Sequence, residues 1–129
     1  MLPIRLSKES REPIYHQIEK QLKALIAGGH LTAGTPLPSI RALSKDLEIS
    51  VITIRRAYQD LEAQGFIETA HGKGTYVAEI KNALKQEVKT ASVYESFERA
   101  IETAFSYDYS DEEMTAIFNE ILKTRKKGE

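Results

Sequence analysis

The amino-acid sequence predicts a mostly α-helical fold with one small β-hairpin, on three observations. Two short amphipathic helices are joined by only a few residues, and a pair of strand-like runs with a glycine-bearing tip follows them. Beyond the hairpin, apolar residues recur at helical spacing almost to the basic C-terminus. The character of the chain changes after residue 78. We therefore expect one compact domain over residues 1–78 and a second, helical region over residues 79–129.

Length and composition are those of an ordinary globular protein. The chain has 129 residues, of which 41% are hydrophobic and 29% charged, and this suits one small domain with an appended region. No apolar run is long enough to span a membrane, and Met1-Leu2-Pro3 does not begin a signal peptide. The chain has no cysteine, which excludes disulfides and thiolate metal sites. We expect a cytoplasmic protein without a membrane partner.

Charge is distributed unevenly along the chain. The net charge is −1, but residues 1–78 carry 10 Lys and Arg against 8 Asp and Glu, or +2, whereas residues 79–129 carry 8 against 11, or −3. DNA binding depends on the local surface that faces phosphate, so the near-neutral total does not argue against it. Neither half is basic enough to bind DNA by bulk charge alone.

Two helices are predicted to begin the compact domain. Pro13 opens a long helix, and Gly28-Gly29 ends it. After a turn-rich connector over residues 31–38, Ser39 caps a short second helix, and Arg41 points outward from its first turn. The inward-facing apolar residues of the two helices are Ile14, Ile18, Leu22, Leu25, Ile26, Ile40, Leu43 and Leu47.

The third predicted helix has a basic outer face. Ser50 is placed to cap it, and Gly65 suits the left-handed position that ends it. A short helix that is apolar inside and basic outside has the shape and charge to lie in a DNA major groove. An ordinary surface helix with solvated arginines would show the same pattern in isolation. The buried stripe is Ile54, Ala57, Tyr58 and Leu61, and the outer face is Val51, Ile52, Arg55, Arg56 and Gln59.

A hairpin is predicted after the third helix. Two strand-like runs, over residues 66–69 and 75–77, enclose the tip His71-Gly72-Lys73-Gly74. The order helix, helix, helix, hairpin is that of a winged helix-turn-helix. The tip also resembles a phosphate-binding loop, but a strand follows where that loop requires a helix, so we reject that interpretation.

The C-terminal region is predicted to contain amphipathic helices. Two serine–glutamate capping boxes, Ser92 with Glu95 and Ser110 with Glu113, predict the starts of two helices after an initial helical stretch. A pair of helices buries only one side of each, so aromatic surface should remain exposed and mark an interface. We expect a second chain to pair there and close a bundle with twofold symmetry. The predicted dimerisation residues are Tyr94, Phe97, Ile101, Phe105, Met114, Ile117, Phe118 and Ile121.

Several stretches within residues 12–78 resemble the GntR family of bacterial transcriptional regulators. The short two-helix tail and the arm before Pro13 resemble its YtrA subfamily in particular. The resemblance implies a homodimeric repressor that acts on an operator near its own operon, which in that subfamily often encodes an ABC transporter. The matching stretches are Leu37-Pro38-Ser39-Ile40-Arg41, Thr53-Ile54-Arg55-Arg56-Ala57-Tyr58, Leu61-Glu62, Gly65-Phe66-Ile67 and Gly72-Lys73-Gly74-Thr75-Tyr76-Val77.

The resemblance also implies which residues contact DNA. Arg41 and Arg55 match family DNA contacts, residues 50–53 match the base-reading turn, and residues 71–72 match the wing tip. An arginine on such a face can contact either a base edge or a phosphate. The full predicted DNA-binding set is Ser39, Arg41, Ser50, Val51, Ile52, Thr53, Arg55, Arg56, His71, Gly72 and Lys73.

Two residues depart from the family pattern. Val51 stands where many relatives have arginine or asparagine. Val51 and Ile52 could instead meet thymine methyl groups, or one of them could pack on the second helix. Glu48 occupies the turn position that glycine usually holds. If its backbone is left-handed, we expect a cost of about 1 kcal/mol in stability.

Other function classes have less support in the sequence. A winged helix used only for protein–protein contact remains an alternative, because fold alone does not decide function. An enzyme is the weakest hypothesis, since His16, His30 and His71 fall in three different elements and show no ligand spacing. We predict no cofactor and no metal. Whether a small-molecule effector exists is left open.

Overall fold

The computed structural model describes residues 2–128, so Met1 and Glu129 lie outside the described residues. Within that range the chain forms five α-helices and one two-stranded antiparallel sheet, which confirms the predicted fold class. No helix in the same range is long and apolar enough to cross a membrane. In chain order the elements are α1 (Ile14–Ala27), α2 (Ile40–Leu47), α3 (Val51–Ala63), β1 (Ile67–Ala70), β2 (Gly74–Val77), α4 (Asn82–Ser106) and α5 (Asp111–Lys127).

The chain divides into two compact units, Met1–Thr90 (the first unit) and Ala91–Glu129 (the second unit). The division falls later than residue 78 because Ile80 is buried in the core of the first unit. Leu84 and Val88, in the first turns of α4, also pack against that core. Residues 79–90 therefore complete the first unit. The assignment of separate functions to residues 1–78 and 79–129 stays a prediction.

The helix α3 organises the core of the first unit, since it contacts α1, α2 and β1. Its predicted apolar stripe is buried, with Ile54 and Leu61 fully enclosed. The helix ends as its sequence predicts. Gly65 takes a φ of 85°, and the Phe66 N–H donates to the Leu61 carbonyl at 2.9 Å. Local stop signals and a buried stripe together hold both ends of this helix in place.

The N-terminal arm belongs to the same core. The alternation of apolar and polar residues there predicts only a short extended segment, but Ile4 is buried. The Gln21 side chain accepts from the Arg5 N–H at 2.9 Å and donates to the Arg5 carbonyl at 2.7 Å. Gln17 makes the same pair of bonds with Ser7, both at 2.9 Å. The two glutamines of α1 thus satisfy the backbone of a segment that joins no sheet.

The connector before α2 also contributes extended structure. The strands β1 and β2 pair antiparallel and leave residues 71–73 as the turn. On the other edge of β2, Pro36 forms a bridge with Tyr76, and the Leu37 N–H donates to the Thr75 carbonyl at 2.9 Å. The connector, predicted only as turn-rich, therefore fixes the hairpin to the start of α2.

The predicted helix start at Ser92 is wrong. The helix α4 runs without interruption from Asn82 to Ser106, and both Ser92 and Glu95 lie inside it. Residues three apart are also neighbours on any continuous helix, so the capping-box spacing alone does not identify a start. Glu95 instead pairs with Arg99 at 3.1 Å, one turn further along α4.

The second predicted capping box is confirmed. Ser110 Oγ accepts from the Glu113 N–H at 3.1 Å, and Glu113 Oε1 accepts from the Ser110 N–H at 2.9 Å. A short turn over residues 107–109 precedes it, in which Asp108 takes a φ of 60°. The connection between α4 and α5 therefore lies where the sequence predicts it.

Candidate nucleic-acid interface

The N-terminal turn of α3 begins with an exposed cap. Ser50 Oγ accepts from the Thr53 N–H at 3.2 Å and lies 2.8 Å from Thr53 Oγ1, which confirms the predicted cap. Both hydroxyls belong to the predicted base-reading turn, and here they are engaged with each other. The first N–H groups of a helix have no intrahelical partner, and the helix dipole favours an anion at that end. The turn therefore suits an approach to phosphate.

The two apolar residues of this turn differ in burial. Ile52 is 76% exposed, which makes it the most exposed large apolar side chain among the described residues. Val51 is half-buried. Of the two residues, Val51 is therefore the one that can pack inward on α2, and Ile52 is not. The Ile52 side chain is therefore open to a ligand from outside the first unit.

The two arginines of α3 have different surroundings. Arg55 is exposed and forms no ion pair with any described residue. The guanidinium carbon of Arg56 lies 3.9 Å from the ring centroid of Tyr15 in α1, and its Nε lies 3.8 Å from Asp60 Oδ2. Arg55 is therefore free to reorient toward a ligand, whereas Arg56 is exposed but already oriented by its ring and carboxylate partners.

Residues 37 and 38 connect the start of α2 to both the hairpin and α3. The bond from residue 37 to β2 has been described above. From the other side, the Tyr58 hydroxyl of α3 donates to the Pro38 carbonyl at 2.7 Å. Burial raises the pKa of Tyr58, so this hydroxyl keeps its proton and stays a donor. Sequence reasoning places Tyr58 only in the buried stripe and gives no signal for this bond.

Two exposed residues at the start of α2 come directly after residues 37 and 38 in the chain. Ser39 caps the helix by accepting from the Ala42 N–H at 3.0 Å, as predicted, and Arg41 is exposed in the first turn. At the other end of α2, Glu48 takes φ 56° and ψ 43°, a left-handed conformation. The turn position at which the family resemblance implies glycine therefore does have a left-handed backbone. A side chain there costs about 1 kcal/mol.

The wing tip has the backbone that its glycines predict. Gly72 and Gly74 take φ values of 77° and 92°, which residues with side chains rarely adopt. The Tyr76 hydroxyl donates to the Lys73 carbonyl at 2.6 Å and steadies the turn. His71, Gly72 and Lys73 are exposed. The tip therefore presents the Lys73 cation and the His71 imidazole on a turn that the Tyr76 hydrogen bond stabilises.

One contact between the wing and α3 is missed by sequence reasoning. Glu62 Oε2 accepts from the Thr69 N–H of β1 at 3.0 Å. A carboxylate is a stronger acceptor than a neutral oxygen, so this bond fixes the strand firmly to the helix. The motif Leu61-Glu62 supports the family resemblance, but no local pattern indicates that the carboxylate turns toward the hairpin.

All predicted DNA-binding residues lie in the first unit, on the starts of α2 and α3 and on the wing tip. Bonds through residues 37, 38 and 69 hold these segments to one another. Val51 and Thr53 are half-buried. The exposed members of the set are Ser39, Arg41, Ser50, Ile52, Arg55, Arg56, His71, Gly72 and Lys73.

The predicted dimerisation residues form an apolar face on the second unit. None of the eight is buried, and seven are exposed, from 41% at Ile117 to 68% at Tyr94, while Met114 is half-buried. The rings of Phe97 and Phe118 lie 5.6 Å apart between centroids, so the two helices meet through this aromatic pair. An open cleft of about 460 Å³ runs along the same face.

No group of His, Asp and Glu side chains within residues 2–128 is arranged to hold a metal ion. His16 lies 3.2 Å from Glu12 on the exposed side of α1, and His71 stands at the wing tip.

Comparison with known proteins agrees with this geometry. The sequence model described as "Bacterial regulatory proteins, gntR family" matches residues 14–77. The HTH-type transcriptional repressor YtrA of Bacillus subtilis (strain 168) is 36% identical over 98 residues, which cover 76% of this chain and 75% of that protein. Other curated relatives are much longer, and the chain covers 16% of one and 17% of another.

Solved structures show the same likeness. YtrA from Sulfolobus acidocaldarius, a GntR-family transcription factor, matches 94% of this chain and 97% of its own, at 31% identity and a TM-score of 0.55. The AraR DNA-binding domain in complex with an operator matches 57% of this chain and 89% of its own, at 31% identity and a TM-score of 0.50. The chain therefore belongs to the GntR family of bacterial transcriptional regulators, in its YtrA subfamily, and carries the winged-helix DNA-binding domain of that family.

Proposed function

We propose that this protein is a homodimeric repressor that binds a palindromic operator in a sequence-specific manner. The observation that carries the proposal is the capped N-terminal turn of α3, where Ile52 and Arg55 are exposed. The similar AraR DNA-binding domain has been solved in complex with operator DNA, which supports the proposal. An exposed apolar residue beside a free arginine suits the mixed edges of the major groove.

Each exposed group has a proposed role. Arg55 approaches a base edge, and the turn from Ser50 to Ile52 enters the major groove first. Arg41 and Arg56 fix the register on phosphates. His71 and Lys73, on the wing tip, reach the minor groove or its flanking phosphates. The stacked position of Arg56 over Tyr15 supports its role, because a cation that is already oriented loses less entropy on binding.

The second unit supports the homodimer. An apolar patch of the kind formed by α4 and α5 usually marks an interface. A second copy of the same face would enclose it in a helical bundle with twofold symmetry. That symmetry would hold two recognition helices about one DNA turn apart, roughly 34 Å or a multiple of it. Whatever shifts the bundle would change this spacing, so the bundle is the place where an effector would act.

The target of the repressor follows from the resemblance to the YtrA subfamily. It implies an operator near the protein's own operon and an ABC transporter among the genes controlled. The similarity to a curated repressor over three quarters of that protein supports this proposal. Reporter expression from the adjacent promoter should rise when the gene is deleted. A fall would indicate an activator instead.

The experiment that tests the proposal is selection of bound duplexes from a random pool by the full chain. We expect enrichment of a palindrome whose half-sites lie about one helical turn apart. Enrichment of a single half-site would contradict the dimeric arrangement. A protein that serves only protein–protein contact would enrich no sequence and would not be retained on DNA at low salt, whereas a DNA-binding protein is retained and released steeply as salt rises.

A further inference from the structure

An acidic pair lies between α1 and α3. Glu19 of α1 is the only buried charged residue within residues 2–128, with 5% of its surface exposed. Its Oε2 has no hydrogen-bond partner in that range. A side-chain hydrogen bond to Asp60 of α3 is, after burial, a cause of the raised pKa of Glu19. Two ionised carboxylates only accept hydrogen bonds and repel each other, so this contact is favourable only when one of them carries a proton.

Arg56 connects the pair to the outer face of α3. As described above, its Nε lies 3.8 Å from Asp60 Oδ2, and its guanidinium stacks on α1. Lys23 is the second cation that acts on Glu19, and its Nζ stands 5.4 Å from the ring centroid of Phe66. The charged groups that face Glu19 from the two helices are therefore Asp60, Arg56 and Lys23.

We propose that Glu19 and Asp60 hold one shared proton at the α1–α3 contact, and that Arg56 couples this proton to DNA binding. The inference rests on the proposed DNA-binding function, in which Arg56 contacts a phosphate. In the free protein Arg56 compensates part of the negative charge of the pair. A phosphate that engages Arg56 weakens this compensation, and the pair then holds its proton more tightly. By linkage, DNA binding takes up a proton, and a higher pH weakens binding.

The sign and the range of the effect follow from Glu19. Burial, together with the contact to Asp60, raises the pKa of Glu19 from the usual 4.5 to about 7 in the free protein. DNA raises it further, so the bound protein carries more protons than the free protein in a range that begins near pH 7. Affinity is therefore greatest below this range, falls as pH rises through it and levels off above it. A further increase of half to one pKa unit corresponds to a roughly three- to tenfold loss of affinity.

Variants of the full chain separate this effect from other titrations. Affinity for a duplex recovered by the selection experiment is measured from about pH 5.5 to about pH 8.5 at constant salt. Glu19→Gln resembles the protonated carboxyl in size and can donate to Asp60, so it should abolish the loss of affinity at high pH. Glu87→Gln removes a charge from an exposed position of α4 and should keep the wild-type profile. Histidines also titrate near neutral pH, so His71→Gln should retain the part of the profile that Glu19→Gln removes.

Carboxyl ¹³C NMR of Glu19 in the wild-type chain provides a readout that requires no variant. We expect its resonance to titrate near pH 7 in the free protein and at higher pH in the complex. Titration near 4.5 in the free protein would overturn the shared proton. The same titration with and without DNA, or a pH profile unchanged by Glu19→Gln, would overturn the coupling. Absence of DNA binding at every pH would contradict the proposed function and with it the coupling, while the free-protein titration would still decide whether the pair shares a proton.

Discussion

The two units bury apolar stripes to very different extents. In the first unit, α3 lies against α1, α2 and β1, and Ile54 and Leu61 are fully buried. In the second unit, α4 and α5 face each other alone, and Phe97 and Phe105 remain 47% and 55% exposed. A helix pair offers each stripe one neighbour, whereas three helices and a hairpin enclose it. The difference indicates that the first unit needs no second chain for its core, while the second unit is suited to receive one.

The largest expected effect comes from the enclosed core. Leu61→Ala should lower the free energy of unfolding by about 2–5 kcal/mol, because a fully buried leucine leaves a cavity. Denaturant unfolding followed by circular dichroism measures it. The matched variant is Leu122→Ala in α5, where the leucine is 44% exposed. Both variants are measured in dilute protein shown to be monomeric. If Leu122→Ala lowers the free energy of unfolding as much as Leu61→Ala does, the two stripes do not differ in burial as described.

A charge placed on the apolar face of the second unit should affect the oligomeric state and not the stability of the first unit. Ile101→Asp should convert a dimer to monomers and leave the unfolding of the first unit unchanged. A carboxylate without a partner inside an apolar contact costs at least about 2 kcal/mol. Light scattering gives the mass, and half-site binding gives the function. Thr103→Asp adds the same charge on the opposite side of α4, so it should remain dimeric.

Removal of the second unit tests, without a point mutation, whether the first unit folds alone and whether the second unit is needed for the dimer. A fragment that ends at Thr90 retains Ile80, Leu84 and Val88, which pack on the first core. It should fold, be monomeric and bind half-sites only weakly. If the fragment stays dimeric with full affinity, dimerisation lies in the first unit.

Sequence preference should depend on the first unit alone. Arg55→Ala should cost about 1–3 kcal/mol in operator affinity and relax the preference at one base position, since this exposed arginine is proposed to contact a base edge. Selection with the variant measures the preference, and its mass should remain that of the wild type. Arg56→Ala is the comparison variant and should weaken all sequences to a similar degree. An unchanged selected sequence for Arg55→Ala would rule out its role.

A substitution in the turn between α2 and α3 should stabilise the protein. Glu48→Gly should raise the free energy of unfolding by up to about 1 kcal/mol, because glycine adopts the left-handed backbone at φ 56° without strain. Lys45→Gly is the control, since it places glycine in ordinary helical backbone and should destabilise by about 0.5–1 kcal/mol. Thermal unfolding of both variants decides the matter. Destabilisation by Glu48→Gly would mean that the Glu48 side chain makes a contribution larger than the strain.

The smallest expected effect concerns the wing. Lys73→Ala should weaken binding to all sequences nearly equally and lower the slope of log affinity against log salt by about one, as the loss of one phosphate contact requires. Titration of binding with salt measures it. Lys81→Ala removes an exposed cation outside the wing and should leave the slope unchanged. Lost preference at one base with an unchanged slope would mean that the wing reads sequence.

Local signals in the chain predicted the elements of the DNA-binding surface well. The caps at Ser39 and Ser50, the stop at Gly65 and the left-handed tip at Gly72 are confirmed. Each of these features depends on the conformation of a few neighbouring residues, so the sequence contains all of its causes. The same locality explains the error at Ser92. A serine three residues before a glutamate favours a helix start only where the preceding residues are not already helical.

The sequence by itself determined the order of the elements, the stripe of α3, the outward position of Arg55 and the exposed apolar face of α4 and α5. The tertiary structure alone decided the contacts between distant residues. It placed Ile4 in the core, the carboxylate of Glu62 on the hairpin, and Glu19 against Asp60. Periodicity shows which side of a helix is buried but not which residue of another element meets it. That pairing is set by the close packing of the whole unit, in which a polar side chain takes the partner that lies within its reach.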